Sequence, residues 1–277
     1  QAKRLTATQI ASLSTRQVAA MEATDLAALS TTAIGGLDAA QVESLSATAI
    51  AALSDAQLAA LTTTAITGLA TAQLAAMSTT QIRALTATQF TAFGETQIEA
   101  LSGDQLAALT ATEVRALTST LAAALGTTGL AALDTRQIAA LTATAAAGLT
   151  DTQIASLTTT AFAALGAAAI SGLTTERIAG LGATRLAELS TTQIAGLTAT
   201  QVASLTTTQI EALTTRQIAA LDATRIAGLT ADQLSALSAT QSAAIATTRM
   251  AALTTTALAG LTATDIGDLT TAQLRAM

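Results

Sequence analysis

The sequence predicts an all-α solenoid of very short helices, with one helix for each eight-residue repeat. Three observations lead to this fold class. A large apolar residue recurs every eight positions without a slip, a helix-capping motif follows each of these anchors, and a small residue closes almost every repeat.

The repeat occupies nearly the whole chain. Stepping by eight from Leu5 to Met277 meets 35 large apolar residues, of which 30 are Leu, with no insertion or deletion across 34 octads. With this anchor as position 1, position 6 is also large and apolar in 31 of 34 octads. The exceptions are Ala122, Ala146 and Ser242. Neither position carries a charge, so both are predicted to face a common core.

Local chemistry decides between the possible backbones. One continuous α-helix would drift by about 80° per octad and spread its anchors around the whole surface. A strand would place positions 1 and 6 on opposite faces. Position 2, however, is Ser, Thr or Asp in 27 octads and position 5 is Gln in 18, which is the spacing of a capping box. Positions 1 and 6 then form the hydrophobic staple of a helix of about six residues.

A helix this short is marginal alone, so the octads are predicted to stack into coils. Gly at position 8 and Ala at position 5 prefer alternate octads, which indicates that odd and even octads have different surroundings. The simplest geometry is two octads, or 16 residues, per coil, giving about 17 coils. A coil of four octads shares the same alternation and stays open. The terminal octads keep apolar anchors, so end-to-end self-association into fibres is a further expectation.

The domain organisation follows from the register. Residues 1–4 are predicted to be an N-terminal remnant, and residues 5–277 a single uninterrupted solenoid that is part of a longer protein.

Composition argues against an enzyme. Without His, no side chain exchanges protons near neutral pH, and without Cys or His the thiolate and imidazole metal sites are excluded. We predict no catalytic, cofactor-binding or metal-ligating residue and no cofactor. A net charge of −6 argues against nucleic acid, and no apolar stretch is long enough for membrane insertion.

Charged side chains are mostly explained by helix structure. Three acid pairs lie close in sequence, but acids near a helix start are favoured by the helix dipole. These pairs are Glu22/Asp25, Glu95/Glu99 and Asp265/Asp268. Four arginines replace Gln at position 5, and the alternatives are a sparse basic face or solvated variation. They are Arg177, Arg185, Arg225 and Arg249.

Two binding functions remain as alternatives. Positions 3, 4, 5 and 7 vary and would display a face for a protein partner, whose identity stays unknown. Thr occupies position 4 in 23 of 34 octads, and a regular ladder of hydroxyls and methyls on a rigid rod is compatible with binding ice.

The motif Leu-Ser/Thr-x-x-Gln-Ile-x-x resembles octapeptide arrays of very large repetitive bacterial proteins, often described as adhesin-like or surface-associated. The resemblance covers residues 5–277 and carries over no functional residue. It implies an extracellular or cell-surface location. The resulting expectation is a non-enzymatic structural protein, an elongated rod, stalk or filament-forming segment.

Overall fold

The computed structural model describes residues 4–277, and this part of the chain is helical without a strand. It comprises two compact units, Gln1–Leu157 and Thr158–Met277. The predicted remnant 1–4 lies almost wholly outside the described residues. Helices of the first unit are α1 Ala7–Ala11, α2 Thr15–Ala19, α3 Ala23–Ala27, α4 Thr31–Ile34, α5 Ala39–Ser44, α6 Ala47–Ala51, α7 Asp55–Ala60, α8 Thr63–Ile66, α9 Thr71–Ala76, α10 Thr79–Ala84, α11 Ala87–Thr91, α12 Glu95–Glu99, α13 Gly103–Ala107, α14 Ala111–Arg115, α15 Ser119–Ala124, α16 Gly126–Ala132, α17 Thr135–Ala140, α18 Ala143–Gly148 and α19 Asp151–Ser156.

The second unit continues the same pattern of one helix per octad. Its helices are α20 Thr159–Ala164, α21 Ala167–Gly172, α22 Thr175–Ala179, α23 Ala183–Ala187, α24 Thr191–Ile194, α25 Ala199–Ala203, α26 Thr207–Ala212, α27 Thr215–Ala220, α28 Ala223–Ile226, α29 Ala231–Ser235, α30 Ala239–Ala244, α31 Thr247–Met250, α32 Thr255–Ala259, α33 Ala263–Asp268 and α34 Thr271–Leu274. The prediction of a solenoid of short helices is confirmed.

The capping box starts the helices as the sequence predicts. At α7 the hydroxyl of Ser54 accepts from the backbone N–H of Gln57 at 3.3 Å, and Gln57 Oε1 accepts from the N–H of Ser54 at 2.9 Å. The helix then ends at Leu61, whose backbone is extended with φ −61° and ψ 138°. Because an extended residue cannot continue the helix, the chain turns sharply into the next cap.

One junction departs from this pattern. Leu125 is helical, with φ −57° and ψ −26°, where the anchors ending other helices of similar length are extended. Gly126 follows with φ +60°, a left-handed conformation that only Gly adopts without strain. The chain therefore passes from α15 to α16 without a capping side chain.

Positions 1 and 6 form the core. The side chain of Ile50 is fully buried, and that of Leu53, the next anchor, is 3% exposed. Positions 2, 3, 4 and 7 lie at the surface in a regular octad such as residues 77–84. The staple pair thus contributes two buried side chains per octad, and these pack against the turns before and after it.

The predicted coil of two octads is wrong, because the helices within each unit pack against helices three octads away. Helix α4 packs on α1, with Gly36 directly over Ala7, 29 residues earlier. In the next octad, Gln41 Nε2 donates to the carbonyl oxygens of Ile10 and Leu13 at 2.9 and 2.7 Å, 31 and 28 residues back. A turn of each unit therefore takes 28–31 residues, between three and four octads. The link between helices turns the chain less sharply than a two-octad coil requires.

Candidate functional site

Position 5 carries the most regular polar structure in the protein. We call its side chains the position 5 ladder. Sixteen of its Gln side chains are buried, with exposures of 1–6%. They are Gln41, Gln57, Gln73, Gln81, Gln89, Gln97, Gln105, Gln137, Gln153, Gln193, Gln201, Gln209, Gln217, Gln233, Gln241 and Gln273.

Each buried Gln joins two turns of the coil. The Oε1 atom of Gln105 accepts from the N–H of Ser102 at 2.9 Å and so caps its own helix. Its Nε2 atom donates to the carbonyl oxygens of Leu74 and Met77, both at 2.8 Å, in the preceding turn. The Met77 carbonyl comes from an anchor outside the helices, where no intrahelical N–H reaches it. A single amide therefore satisfies groups at the start of one helix and at the end of another.

Arginine takes over the donor role where it replaces Gln. Arg225 Nε donates to the carbonyl oxygen of Leu197 at 2.6 Å, and Arg249 Nη1 donates to that of Leu221 at 2.6 Å. Arg225 also pairs with Asp222, the N-cap residue of its own helix. These arginines form neither a basic face nor solvated variation, the two interpretations of the sequence, because their guanidinium groups bind backbone carbonyls.

A third guanidinium lies against an aromatic ring. The Arg185 guanidinium carbon is 4.3 Å from the ring centroid of Phe162, a cation–π geometry. Phe162 is itself 1% exposed and occupies position 6 of its octad. The interaction thus joins the ladder to the core.

Glu113 is an ionisable residue inside the ladder. Its side chain is 2% exposed, and its Oε2 atom accepts from the N–H of Thr110 at 2.5 Å. Its Oε1 atom is buried without a hydrogen-bond partner. Burial raises the pKa of Glu113 above its usual value of 4.5, against the opposing effects of Thr110 and of the positive charge on Arg83.

Position 5 also sets how closely two turns approach. Six position 8 glycines lie against a helix of the neighbouring turn, and a Cβ there would lie 1.9–2.2 Å from that helix where position 5 is Ala, but 2.5–2.7 Å away where it is Gln or Arg. At these glycines the turns lie closer where position 5 is Ala than where it is Gln or Arg, while the octads of Ala49 and Ala161 carry Ala at position 8. The first group is Gly36, Gly68, Gly148 and Gly260, and the second is Gly196 and Gly228.

The acid pairs do not converge on a reaction centre. Asp265 accepts from the N–H of Thr262 at 2.7 Å, its hydroxyl at 2.8 Å, and the hydroxyl of Ser235 at 2.9 Å. The first two of these bonds hold the pKa of Asp265 below its usual value. Its sequence neighbour Asp268 is exposed, so the pair does not share a buried site. The side chains of the other two pairs are exposed as well: Glu22 and Asp25, and Glu95 and Glu99.

The prediction that position 5 contributes to a display face is wrong for these sixteen glutamines, because their side chains are buried. A signal for this was present in the sequence. Both Glu and Gln complete a capping box, and the helix dipole favours Glu in the first turn, yet Gln occupies position 5 in 18 octads against three for the two acids together. Such a preference indicates that the amide N–H groups, which a carboxylate lacks, have acceptors of their own.

Within residues 4–277, no group of three or more acidic side chains is placed to hold a metal ion. None of the helices described there has the length and apolar character to cross a membrane.

Comparison with known proteins supports the repeat array. The model of the ALTTAQ repeat family matches three stretches of the chain, residues 18–55, 66–103 and 184–215. No curated protein matches the chain. The three matches confirm a repeat array, and the matched stretches fall in both compact units.

Proposed function

We propose that the chain is a non-enzymatic structural segment, an elongated rod or stalk in a surface or extracellular protein. The observation that carries the proposal is the position 5 ladder. The amides of this ladder are occupied by N-caps and by carbonyls of the neighbouring turn, as with Gln105, so their hydrogen-bonding groups hold the fold together. Such cross-turn bonds suit a segment whose role is to keep its form.

Small-angle X-ray scattering of the purified chain tests the rod. A compact globule of this length has a radius of gyration of about 19 Å. A clearly larger value, with a pair-distance distribution skewed towards long distances, is the expected result. A globular protein of equal length is the control, and a value near 19 Å for the folded chain would overturn the proposal.

We also propose that copies associate end to end, through the hydrogen bonds that join turns within one copy. Each regular turn offers Gln amide donors on one side and position 1 carbonyls on the other, as Gln57 and Leu29 do at 2.9 Å. Sedimentation velocity over a range of concentrations is expected to show growing linear species. A sedimentation coefficient independent of concentration would remove the filament from the proposal and leave the rod.

The surface location rests on the resemblance of the repeat to surface-associated arrays. Its test is protease treatment of intact source cells, followed by immunodetection of the repeat. Loss of the signal from intact cells is expected. Protection until the cells are lysed would contradict a surface location.

Ice binding is a second candidate, and one observation favours it. All 34 position 4 residues are exposed, and 23 of them are Thr. A ladder of Thr methyls and hydroxyls therefore lies on the outer side of every turn. Thermal hysteresis that falls when Thr200, Thr224 and Thr248, in the stacked octads of α25, α28 and α31, are replaced by Lys would support this function. Its absence in the intact chain would end it and leave protein partners as the use of this surface.

A further inference from the structure

Glu113 occupies a place that elsewhere in the ladder needs a hydrogen-bond donor. It lies on α14, in position 5 of its octad, with the same burial as the glutamines. Its Oε2 atom takes the role of Gln Oε1, because it accepts the N–H of the N-cap Thr110. The other oxygen, Oε1, therefore stands where the glutamines have Nε2.

The partners of that missing Nε2 follow from the register. The preceding ladder residue, Gln105, donates to carbonyls 31 and 28 residues back, at 2.8 Å each. Counting the same intervals from Glu113 reaches the carbonyl oxygens of Ile82 and Leu85. An ionised carboxylate would turn an acceptor oxygen towards these acceptors, and the buried Oε1 atom has no hydrogen-bond donor. A protonated carboxyl has the donor that this place requires.

The charges around Glu113 do not replace that proton. Helix α11 packs on α14 and carries no charged residue, while α17 brings Arg136 and its N-cap Asp134. Helix α10, at the end of which the two carbonyls lie, carries Arg83, and α14 itself carries Arg115. Of these groups Arg83 favours the ionised carboxyl, and its effect is smaller than that of burial.

We propose that Glu113 keeps its proton in the folded chain and donates it from Oε1 to the carbonyl oxygen of Leu85, so that this turn of the coil loosens when the carboxyl ionises. The bond joins α14 to the junction between α10 and α11. Ionisation replaces it by repulsion between oxygens and leaves an unpaired charge in the core. The turn therefore contains a contact that responds to pH, while the Gln contacts of the neighbouring turns do not.

Thermal melts of the wild type and of Glu113→Gln across pH test the proposal. Because the folded-state pKa of Glu113 is raised, its protonated form contributes stability that is complete below the unfolded value of 4.5 and is lost as pH rises through the folded value. The Gln amide does not titrate. The melting temperature of Glu113→Gln minus that of the wild type is thus expected to be constant at the acid end, to grow as pH rises, and then to level off.

Glu176→Gln is the matched control. Glu176 is exposed, and hydrogen bonds from its own backbone N–H and from Thr174 and Thr175 lower its pKa. Its contribution is present above 4.5 and lost only below it, so its melting-temperature difference is expected to stay flat where that of Glu113→Gln grows. A difference for Glu113→Gln that is equally flat would overturn the proposal.

Infrared spectroscopy gives a reading that does not depend on either variant folding. A protonated carboxyl stretch is expected to persist in the wild-type protein as the pH is raised above 4.5, and its complete absence there would show that Glu113 is ionised. Arg83→Gln excludes the remaining arrangement, in which Arg83 turns in and pairs with an ionised Glu113. If Arg83 did pair with an ionised Glu113, adding Arg83→Gln to the wild-type chain would lower the melting temperature, and adding it to Glu113→Gln would not. The protonated carboxyl predicts no such coupled loss.

Discussion

Gly68→Ala tests how the ladder and the glycines together set the distance between turns. A Cβ at this position would lie 2.0 Å from the carbonyl oxygen of Ala39 and 2.6 Å from its carbonyl carbon. Both atoms belong to the backbone, so no side chain can rotate away. Helix α8 must move from α5 by more than 1 Å to reach ordinary contact, and overpacking of this kind costs about 1–3 kcal/mol.

A smaller effect has the opposite sign. Replacing Gly by Ala restricts the unfolded chain and stabilises by about 0.4–1 kcal/mol where the site has room. We therefore expect a net loss of about 1–2 kcal/mol in the free energy of unfolding for Gly68→Ala. Gly103→Ala is the matched control, since its Cβ would meet that of Ala132 at an ordinary 3.6 Å. It is expected to be neutral or slightly stabilising.

The rescue variant tests the mechanism. Ala65 shares the octad of Gly68, and Ala65→Gln would restore the amide that holds turns apart elsewhere. In the double variant the added Gln is expected to hold the turns farther apart and to regain part of the loss, since a Cβ beside Gln or Arg octads would still lie 2.5–2.7 Å from the facing helix. Urea denaturation followed by far-ultraviolet circular dichroism measures the four free energies of unfolding. Additive effects of the two substitutions, or a Gly68→Ala variant as stable as Gly103→Ala, would refute the reasoning.

Three further predictions concern other parts of the repeat and use the same denaturation assay. Gln105→Ala leaves two carbonyls of the preceding turn without their donor and is expected to lower the free energy of unfolding by about 1–3 kcal/mol. Gln9→Ala, at an exposed site, is expected to lower it by less than about 1 kcal/mol, and equal losses would contradict the cross-turn role. Gly126→Ala forces a non-Gly residue to φ +60° and is expected to lower the free energy of unfolding by about 1–2 kcal/mol. Gly267→Ala, with no atom near its added Cβ, is expected to leave the free energy of unfolding unchanged or slightly higher. Thr206→Ala removes an N-cap and is expected to cost about 0.5–2 kcal/mol without changing the helix content, and a large loss of helix would show that the caps act cooperatively.

The helices could be predicted from the sequence because their determinants are local. At α26 the cap Thr206, its box partner Gln209 and the stapled Ile210 lie within five consecutive residues, and the structure forms the capping box and buries Ile210 as predicted. Octad 16 was the exception. Its Gly126 stands at position 2, where the motif places the cap, but it takes a left-handed conformation after a helical Leu125. The difference depends on how α15 packs, which no local motif records.

Of the two kinds of hydrogen bond that the ladder glutamines make, only one could be predicted from the sequence. The motif predicts the bond from Gln209 Oε1 to the cap, because both ends lie in one octad. The bond from Gln209 Nε2 to the Leu181 carbonyl spans 28 residues, and its partner depends on the number of octads per turn. Without that number, a buried Gln and an exposed Gln look alike in the sequence. Position 5 was accordingly assigned to the surface.

The sixteen-residue alternation was real, and the coil inferred from it was wrong for a geometric reason. The alternation shows that odd and even octads differ, and a coil of two octads is the shortest that allows this. An offset of three octads allows it equally, because three is odd. Helix α8, in an even octad, stacks on α5 in an odd one, and Gly68 meets Ala39 there. Every contact three octads apart therefore joins an even helix to an odd one. Two kinds of interface alternate along each unit: an even helix stacked on an earlier odd one, and an odd helix stacked on an earlier even one. The position 8 glycines that contact a neighbouring turn lie in the first kind, among them Gly36, Gly148, Gly196, Gly228 and Gly260. A period in the sequence gives the number of distinct environments, and only the offset between partners gives the length of the turn.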